Sequence, residues 1–187
     1  SDTIGRVVGS KLGDALGQPV VIDNRAGAGG NLSAEIVAHA QPDGYTMLLG
    51  TGGPLVIAPI IGQKVGFDAD KDFAPVSKLG NSMSILAAHP SLPAKNLQEL
   101  IALAKAKPAD INYASSGVGT SNHLAAELLS SMARIQMTHV PYKGSGAALL
   151  GGQVKLGFGP LLPAIPHVKA GRLKALGVSG LKRSAAV

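Results

Sequence analysis

The sequence predicts an α/β protein whose parallel sheets are built from right-handed β–α–β units. Short apolar runs of strand length alternate along the whole chain with segments whose apolar residues recur at helical spacing. Turn residues separate these segments, as in the run Gln-Pro-Asp-Gly at residues 41–44. Because such sheets gather their ligands at the carboxyl ends of strands, we expect a binding site in the loops that follow them.

The first part of the chain is predicted to begin with a helix capped by residues 1–3. Apolar runs at residues 20–22 and 45–49 predict buried strands on either side of a second helix. The glycine turn at residues 50–53 ends the second strand, and Pro54 suits the first turn of a third helix.

The second part of the chain continues the same alternation. Strands are predicted at residues 84–88, 111–115, 137–140, 154–158 and 173–178. Helices are predicted after a capping box formed by Asn96 and Glu99, and at residues 120–133, 147–150 and 160–170. The helix at 120–133 is predicted to be amphipathic, with an apolar stripe of Leu124, Ala125, Leu128, Leu129 and Met132.

The composition excludes several classes of function. Of the 187 residues, 45% are apolar, which indicates a folded chain, and only 3% are aromatic, which leaves few side chains for stacking on bases. The formal net charge is +6, but no basic run is longer than residues 182–183, so we expect attraction of small anions and no nucleic-acid partner. The absence of cysteine excludes disulfides, thiol nucleophiles and Cys-ligated metal.

The functional prediction depends on the loop between the strand at 111–115 and the helix at 120–133. Its glycine and hydroxyl residues are Ser115, Ser116, Gly117, Gly119, Thr120 and Ser121. The glycines allow a sharp turn, and Thr120 or Ser121 can cap the helix. The first N–H groups of a helix have no intrahelical partner and attract anions, so we predict a carboxylate-binding loop. The alternative is a plain strand-to-helix turn, which has the same composition, and neither nucleotide-binding fingerprint is matched.

Six blocks along the chain carry a resemblance to a known family. They are PVVIDNRAGAGGN at 19–31, PDGYT at 42–46, KDFAPV at 71–76, YASSGVGTSNH at 113–123, HVPYKG at 139–144 and GGQV at 151–154. Together they resemble the Bug-type solute receptors, which are the extracytoplasmic receptors of tripartite tricarboxylate transporters. The blocks are specific to the family, although none is specific to a ligand.

The resemblance implies a two-domain periplasmic-binding-protein fold of type II, a Venus flytrap that closes on a small anion. It implies a first α/β domain at residues 1–84, a second at 85–178, and a return of residues 179–187 toward the first. It also implies a periplasmic monomer that captures a dicarboxylate, tricarboxylate, acidic amino acid or aromatic carboxylate. Such a receptor hands its ligand to membrane subunits of the transporter, needs no cofactor or metal, and does no chemistry.

The sequence departs from the family pattern at both ends. Family members have a strand and a Pro-Gly-Gly turn ahead of the position of Ser1, and helices beyond that of Val187. We therefore expect the first domain to be incomplete in these 187 residues. No signal peptide is visible, and no apolar run is long enough to span a bilayer.

The resemblance extends the predicted site beyond the loop. It implies that Thr51 and Gly52 face the loop across the cleft, with a plain turn as the alternative. Tyr142 and Pro160 are expected either to line the site or to pack in the core. His123 either contacts the ligand or makes a structural hydrogen bond, and no second ligand stands at the spacing of a zinc site.

Two other functions remain open from the sequence. One is a hydrolase with Ser116 or Ser121 as nucleophile and His123 as base, although no G-x-S-x-G elbow is present. The other is the ligand-sensing effector domain of a regulator, which shares the broad architecture. Turnover of an ester or amide substrate distinguishes the enzyme from a receptor.

Overall fold

The computed structural model describes residues 2–142, 144–182 and 184–186. The chain divides into two units, unit 1 up to residue 74 and unit 2 from residue 75. This division lies ahead of the predicted boundary after residue 84. The predicted domain ranges stay a prediction about the receptor as a whole.

Helices and strands occupy the following ranges. In unit 1 the helices are α1 Asp2–Leu16, α2 Asn31–Ala38 and α3 Ala58–Ile60, with a 3-10 turn at Ala28–Gly30 and a π-helical turn at Gly53–Ile57. In unit 2 the helices are α4 Leu97–Ala106, α5 Ser121–Ala133, α6 Ser145–Leu150 and α7 Leu161–Lys169. The strands of unit 2 are β1 Ser84–Ala88, β2 Asn112–Ser115, β3 Thr138–Pro141, β4 Leu156–Pro160 and β5 Lys174–Val178.

In unit 1, helix α1 packs through glycine rather than through its large apolar residues. A Cβ atom added to Gly9 would lie 3.0 Å from Cδ1 of Ile22, and one added to Gly5 would lie 3.6 Å from Cδ2 of Leu49. Val7 and Leu16, on the same helix, are exposed. The small residues therefore let α1 lie directly on the segments at 20–22 and 45–49.

The prediction of strands at 20–22 and 45–49 is wrong for the described residues of unit 1. Both segments lie outside regular secondary structure, and unit 1 has no strand among the residues described. Val21 and Tyr45 are 86% and 91% exposed. An apolar run becomes a strand only when a neighbouring backbone pairs with its N–H and C=O groups, and the apolar pattern alone does not supply that neighbour.

In unit 2 the five strands form one sheet in the order β3-β2-β4-β1-β5. Strand β2 is parallel to β3 and β4, whereas β1 is antiparallel to β4 and β5. The expectation of a purely parallel sheet is therefore wrong, because β1 enters the sheet from the opposite end. As a result, the start of β1 lies at the same edge as the carboxyl ends of the other four strands.

Helices cover both faces of the sheet in unit 2. One face packs against α4 and α5 around Leu100, Tyr113 and Ala126, and the other against α6 and α7 around Leu149 and Leu161. The predicted elements of unit 2 are all present, with ends shifted by one or two residues. The apolar stripe of α5 is a partial exception: Leu124, Leu128 and Met132 are exposed, and the buried positions of α5 are Asn122 and Ala126.

Candidate functional site

The candidate site is the edge of the unit 2 sheet where β2, β3 and β4 end. Ser115 is level with Pro141 on β3, and Pro160 on β4 is level with Ser84 at the start of β1. Parallel strands bring loops that are distant in sequence to one edge, which is where α/β proteins bind small molecules. The loop at 116–120, called here the carboxylate loop, connects β2 to α5 at this edge.

The backbone of the carboxylate loop depends on its two glycines. Gly117 has φ 124° and Gly119 has φ 78°, values in the region that glycine adopts without a steric penalty. Thr120 caps α5: its side chain accepts a hydrogen bond from the His123 N–H at 3.3 Å and donates one to the Gly117 carbonyl at 2.8 Å. The loop is thus folded onto the start of the helix by its own hydroxyl group.

The start of α5 supplies donors without a formal charge. The first N–H groups of a helix lack intrahelical acceptors, and the cap satisfies the one at His123. The N–H groups of Ser121 and Asn122 therefore have no acceptor within the helix. No residue from 115 to 121 carries a charged side chain, so the loop attracts an anion through peptide dipoles and hydroxyls.

Ser115 is fully buried, and its hydroxyl is engaged inside the protein. Its Oγ lies 3.1 Å from the Gly117 carbonyl oxygen, 3.1 Å from the Gly117 N–H nitrogen and 2.6 Å from Nε2 of His139. The contact with His139 was not predicted from the sequence. It joins the base of the carboxylate loop to the neighbouring strand β3.

His139 belongs to a stack of three rings beside the loop. Its ring lies 4.9 Å from that of Tyr113 and 4.3 Å from that of His123, measured between centroids. Nδ1 of His123 accepts a 3.4 Å hydrogen bond from the Gly119 N–H, and its Nε2 lies 4.0 Å from Oε1 of Glu127. The sequence left two roles open for His123. The hydrogen bond with Gly119 gives the structural role a physical basis, while direct contact with the ligand stays a prediction.

The surroundings of the stack shift two pKa values. Burial, and then the nearby His123, lower the pKa of His139 below its ordinary value, and Glu127 opposes this shift. Burial, and then the 2.6 Å hydrogen bond to Glu127, raise the pKa of Tyr113. Tyr113 is therefore a neutral donor, and His139 favours the neutral imidazole near pH 7.

Asn122 is a second polar residue that the sequence reasoning missed. It is 7% exposed, and its side-chain oxygen accepts a hydrogen bond from the Ser84 hydroxyl at 3.0 Å. The Ser84 N–H in turn donates to the hydroxyl of Ser179, just after β5. This chain of bonds fixes the start of α5 to strand β1 and to the segment after β5. The sequence offers only the helical spacing between Asn122 and Ala126 as a signal for it.

The other predicted ligand residues lie in different surroundings. Ser116, on the carboxylate loop, is half-buried, and Ser121, the first residue of α5, is exposed. Pro160 is exposed at the N-cap position of α7. Tyr142 packs partly against Ala114, Ala148 and Val154, and its contact with a ligand stays a prediction.

Thr51 and Gly52 are exposed in unit 1, ahead of the π-helical turn. No residue of the carboxylate loop belongs to that unit. Their contact with the same ligand stays a prediction.

The carboxylate group of Asp2 accepts hydrogen bonds from Arg6 at 3.0 Å and Asn24 at 2.6 Å. These bonds lower the pKa of Asp2.

The close Ser115–His139 contact does not form a hydrolytic pair. Ser115 has no exposed surface, so a substrate carbonyl cannot reach its oxygen. His123 directs its two ring nitrogens at Gly119 and Glu127 rather than at a serine hydroxyl.

Among the residues described, no three acidic, histidine or cysteine side chains come together as metal ligands, and no helix is long and apolar enough to cross a bilayer.

Comparison with known protein families identifies the chain. Residues 4–187 match the family described as the tripartite tricarboxylate transporter family receptor. The chain belongs to this family. The predicted Bug-type resemblance is thereby confirmed, since one relative is the protein BugT of Bordetella pertussis, 36% identical over 188 residues.

The family match covers nearly all of this chain but only part of its relatives. The alignment with BugT covers 98% of this chain and 58% of BugT. A relative from Pseudomonas sp., strain P51, described as a UPF0065 protein in the tcbD-tcbE intergenic region, is 36% identical, with 97% of this chain and 55% of that protein covered. The chain therefore spans a little over half the length of the curated relatives it matches.

Solved structures agree with the family. A protein described as a periplasmic transporter superposes with a TM-score of 0.94 at 35% identity, covering 98% of this chain and 63% of that chain. R. palustris Rpa4515 with adipate gives 0.93 at 34% identity, covering 97% and 62%. MatC from Rhodopseudomonas palustris with bound malate gives 0.88 at 33% identity, covering 97% and 63%.

These findings confirm the predicted α/β fold of periplasmic binding proteins. The family consists of periplasmic solute-binding receptors and is not a family of enzymes.

Proposed function

We propose that the protein is a periplasmic receptor that captures a small organic acid and passes it unchanged to the membrane subunits of a tripartite tricarboxylate-type transporter. The receptor acts as a monomer and uses no metal, cofactor or nucleic acid. The carboxylate loop carries this proposal. It combines hydroxyl groups, two glycines with positive φ and the N-terminus of a 13-residue helix, with no charged side chain between residues 115 and 121.

The ligand that this loop suits best is a dicarboxylate. One carboxylate group of the ligand accepts hydrogen bonds from N–H and hydroxyl groups of the loop and of the start of α5. Among the residues that carry these hydroxyl groups, Ser116 is partly exposed and Ser121 is exposed. Structures of two relatives carry adipate and malate, which are both dicarboxylates. Tricarboxylates, acidic amino acids and aromatic carboxylates share the same recognised group and are the alternatives within the class.

A thermal-shift panel on the full protein tests this proposal. We expect malate or adipate to raise Tm, because a ligand that binds only the folded state stabilises it in proportion to the logarithm of its concentration over Kd. Citrate, glutamate and nicotinate represent the alternative classes. Removing the loop hydroxyls with Ser116→Ala and Thr120→Val together should abolish most of the rise.

A matched pair of substitutions controls for simple loss of stability. Ser130→Ala and Thr138→Val also remove one serine and one threonine hydroxyl from unit 2, where these groups bond to the carbonyls of Ala126 and Ala109. This control should lose some stability and keep the ligand-induced rise in Tm. A protein whose Tm responds to none of the acids is not the receptor proposed here.

The same preparation tests the competing enzyme. Under our proposal, incubation with ester or amide substrates gives no product. A product that accumulates with the unaltered protein and disappears in Ser116→Ala or Ser121→Ala would establish the hydrolase instead.

A further inference from the structure

We propose that His139 is a positioning residue of the carboxylate loop, which it holds through the Ser115 hydroxyl, and that protonation of His139 strengthens binding of the anion. The pH-dependent part rests on the proposed function, because it concerns the affinity of that same loop for a carboxylate. The geometry of the side chains behind the loop carries the inference.

His139 is one hydroxyl group away from the backbone of the loop. When its Nε2 carries hydrogen, it donates across 2.6 Å to Ser115, which donates to the Gly117 carbonyl and accepts from the Gly117 N–H. Every polar atom of this relay then has a partner, at a site where Ser115 has no contact with water. The relay therefore fixes the peptide at Gly117, because the Ser115 hydroxyl bonds to both its N–H and its carbonyl group.

The second imidazole reaches the loop from the other side. His123 stacks on His139 and accepts the Gly119 N–H, so the two rings together contact both glycines of the loop. A further proton on His139 enters at Nδ1, which leaves its bond to Ser115 unchanged. Protonation thus adds positive charge behind the loop without dismantling the relay.

The ionisable groups that face this pair are few among the residues described. Tyr113 faces it from β2 and is neutral, and Glu127 faces it from α5, the helix that also carries His123. A carboxylate seated on the loop adds a negative charge close to the His139 imidazole and favours its protonated form.

Thermodynamic linkage makes the coupling between proton binding and anion binding reciprocal. If the bound anion raises the pKa of His139, then acidification must tighten binding of the anion by the same factor. An increase of the His139 pKa by one unit corresponds to an affinity gain of about tenfold once the pH lies below both values.

Calorimetric titration with malate and with adipate between pH 8 and pH 5.5 tests the inference. We expect the affinity of the full protein to rise about threefold to tenfold toward pH 5.5, with uptake of a proton on binding. His139→Ala should weaken binding at every pH, and His139→Gln should restore part of the affinity by supplying an amide donor. The double substitution His123→Gln and His139→Gln should give a pH profile that follows only the ionisation of the ligand's own carboxyl groups.

His89→Gln is the matched control, since His89 follows the far end of β1 and its side chain bonds to Ser91. It should reproduce the unaltered pH profile. If His139→Ala binds as tightly as the unaltered protein, or if the double variant keeps the pH dependence, the inference is wrong.

A measurement without ligand separates this inference from the proposed function. In NMR titrations of the ligand-free protein, the amide signals of Gly117 and Gly119 should follow the protonation of His139, and should stop doing so in the double variant. Glycine amides that do not respond would overturn the inference even if an acid binds. Failure of every acid to bind would count against the proposed function, while the amide titration would still decide the role of His139.

Discussion

Among the individual residues, Ser115 and His139 form the contact on which the site's geometry depends most. A hydroxyl with no exposed surface holds the turn at Gly117, and an imidazole on the next strand holds the hydroxyl. Burial of such a contact costs little free energy when every polar group in it has a hydrogen-bond partner. It costs much more when one partner is removed, because the remaining polar group is then buried without a hydrogen bond.

The lowered pKa of His139 predicts that the ligand-free protein loses stability on mild acidification. The unfolded chain has a histidine pKa near 6.5, and the folded state has a lower one, so the unfolded chain binds more protons in between. The stability contributed by the neutral ring is therefore present above pH 6.5 and is lost as the pH falls through the folded pKa.

Urea unfolding between pH 7.5 and pH 5 measures this effect. The free energy of unfolding should decrease toward pH 5 in the unaltered protein and in His89→Gln, and less so in His139→Gln. Asp2 and Asp68, whose pKa values are also lowered, act at a pH below this range. An identical decrease in His139→Gln and the unaltered protein would show that the His139 ring does not titrate differently on folding.

At the scale of elements, the described part of unit 2 contains two helices with side-chain caps, and the two caps differ in their predicted relation to the ligand. Asn96 caps α4 by accepting from the Glu99 N–H at 2.9 Å, and Thr120 caps α5 by accepting from the His123 N–H at 3.3 Å. Only the second cap lies at the proposed site. Substituting each cap residue separately gives two variants with the same expected loss of folding stability, so that their ligand binding can be compared.

We predict that Asn96→Ala and Thr120→Ala each reduce the free energy of unfolding by about 1 kcal/mol, the usual cost of losing such a cap. Thr120→Ala should also weaken dicarboxylate binding, since the loop and the first donors of α5 lose their support, whereas Asn96→Ala should leave Kd unchanged. Chemical denaturation and calorimetry measure the two quantities. Equal effects of both substitutions on Kd would argue against a ligand at the carboxylate loop.

The same elements show what the sequence could predict. In unit 2 every helix and strand, the Asn96 cap and the turn at 116–120 follow from local patterns, because caps, glycine turns and helical spacing are properties of neighbouring residues. The pairing of Tyr113 with His139 joins residues of two parallel strands with a helix between them, and its register is fixed only by tertiary packing. The Ser115–His139 contact was therefore beyond the reach of sequence patterns.

At the scale of the whole molecule, the two units differ in the packing that the described residues provide. The buried side chains described in unit 1 are the small ones of Ala34, Pro54 and Ala58, whereas unit 2 buries large side chains such as Ile85, Leu100 and Tyr113. The apolar runs at 20–22 and 45–49 illustrate the same difference. They have the composition of buried strands, yet strand formation needs a paired backbone, and composition cannot supply one.

This difference predicts an uneven pattern of hydrogen exchange in the 187-residue polypeptide. Amides of β1 and β4 lie in the centre of the sheet and should exchange only through global unfolding. Amides at 20–22 and 45–49 lack ladder hydrogen bonds and should exchange faster by a factor on the order of a hundred or more. Mass spectrometry of peptides from both regions measures this ratio directly. Equal protection of the two regions would mean that unit 1 forms a paired sheet in solution, because amides outside a strand ladder cannot be as slow as those of an interior strand.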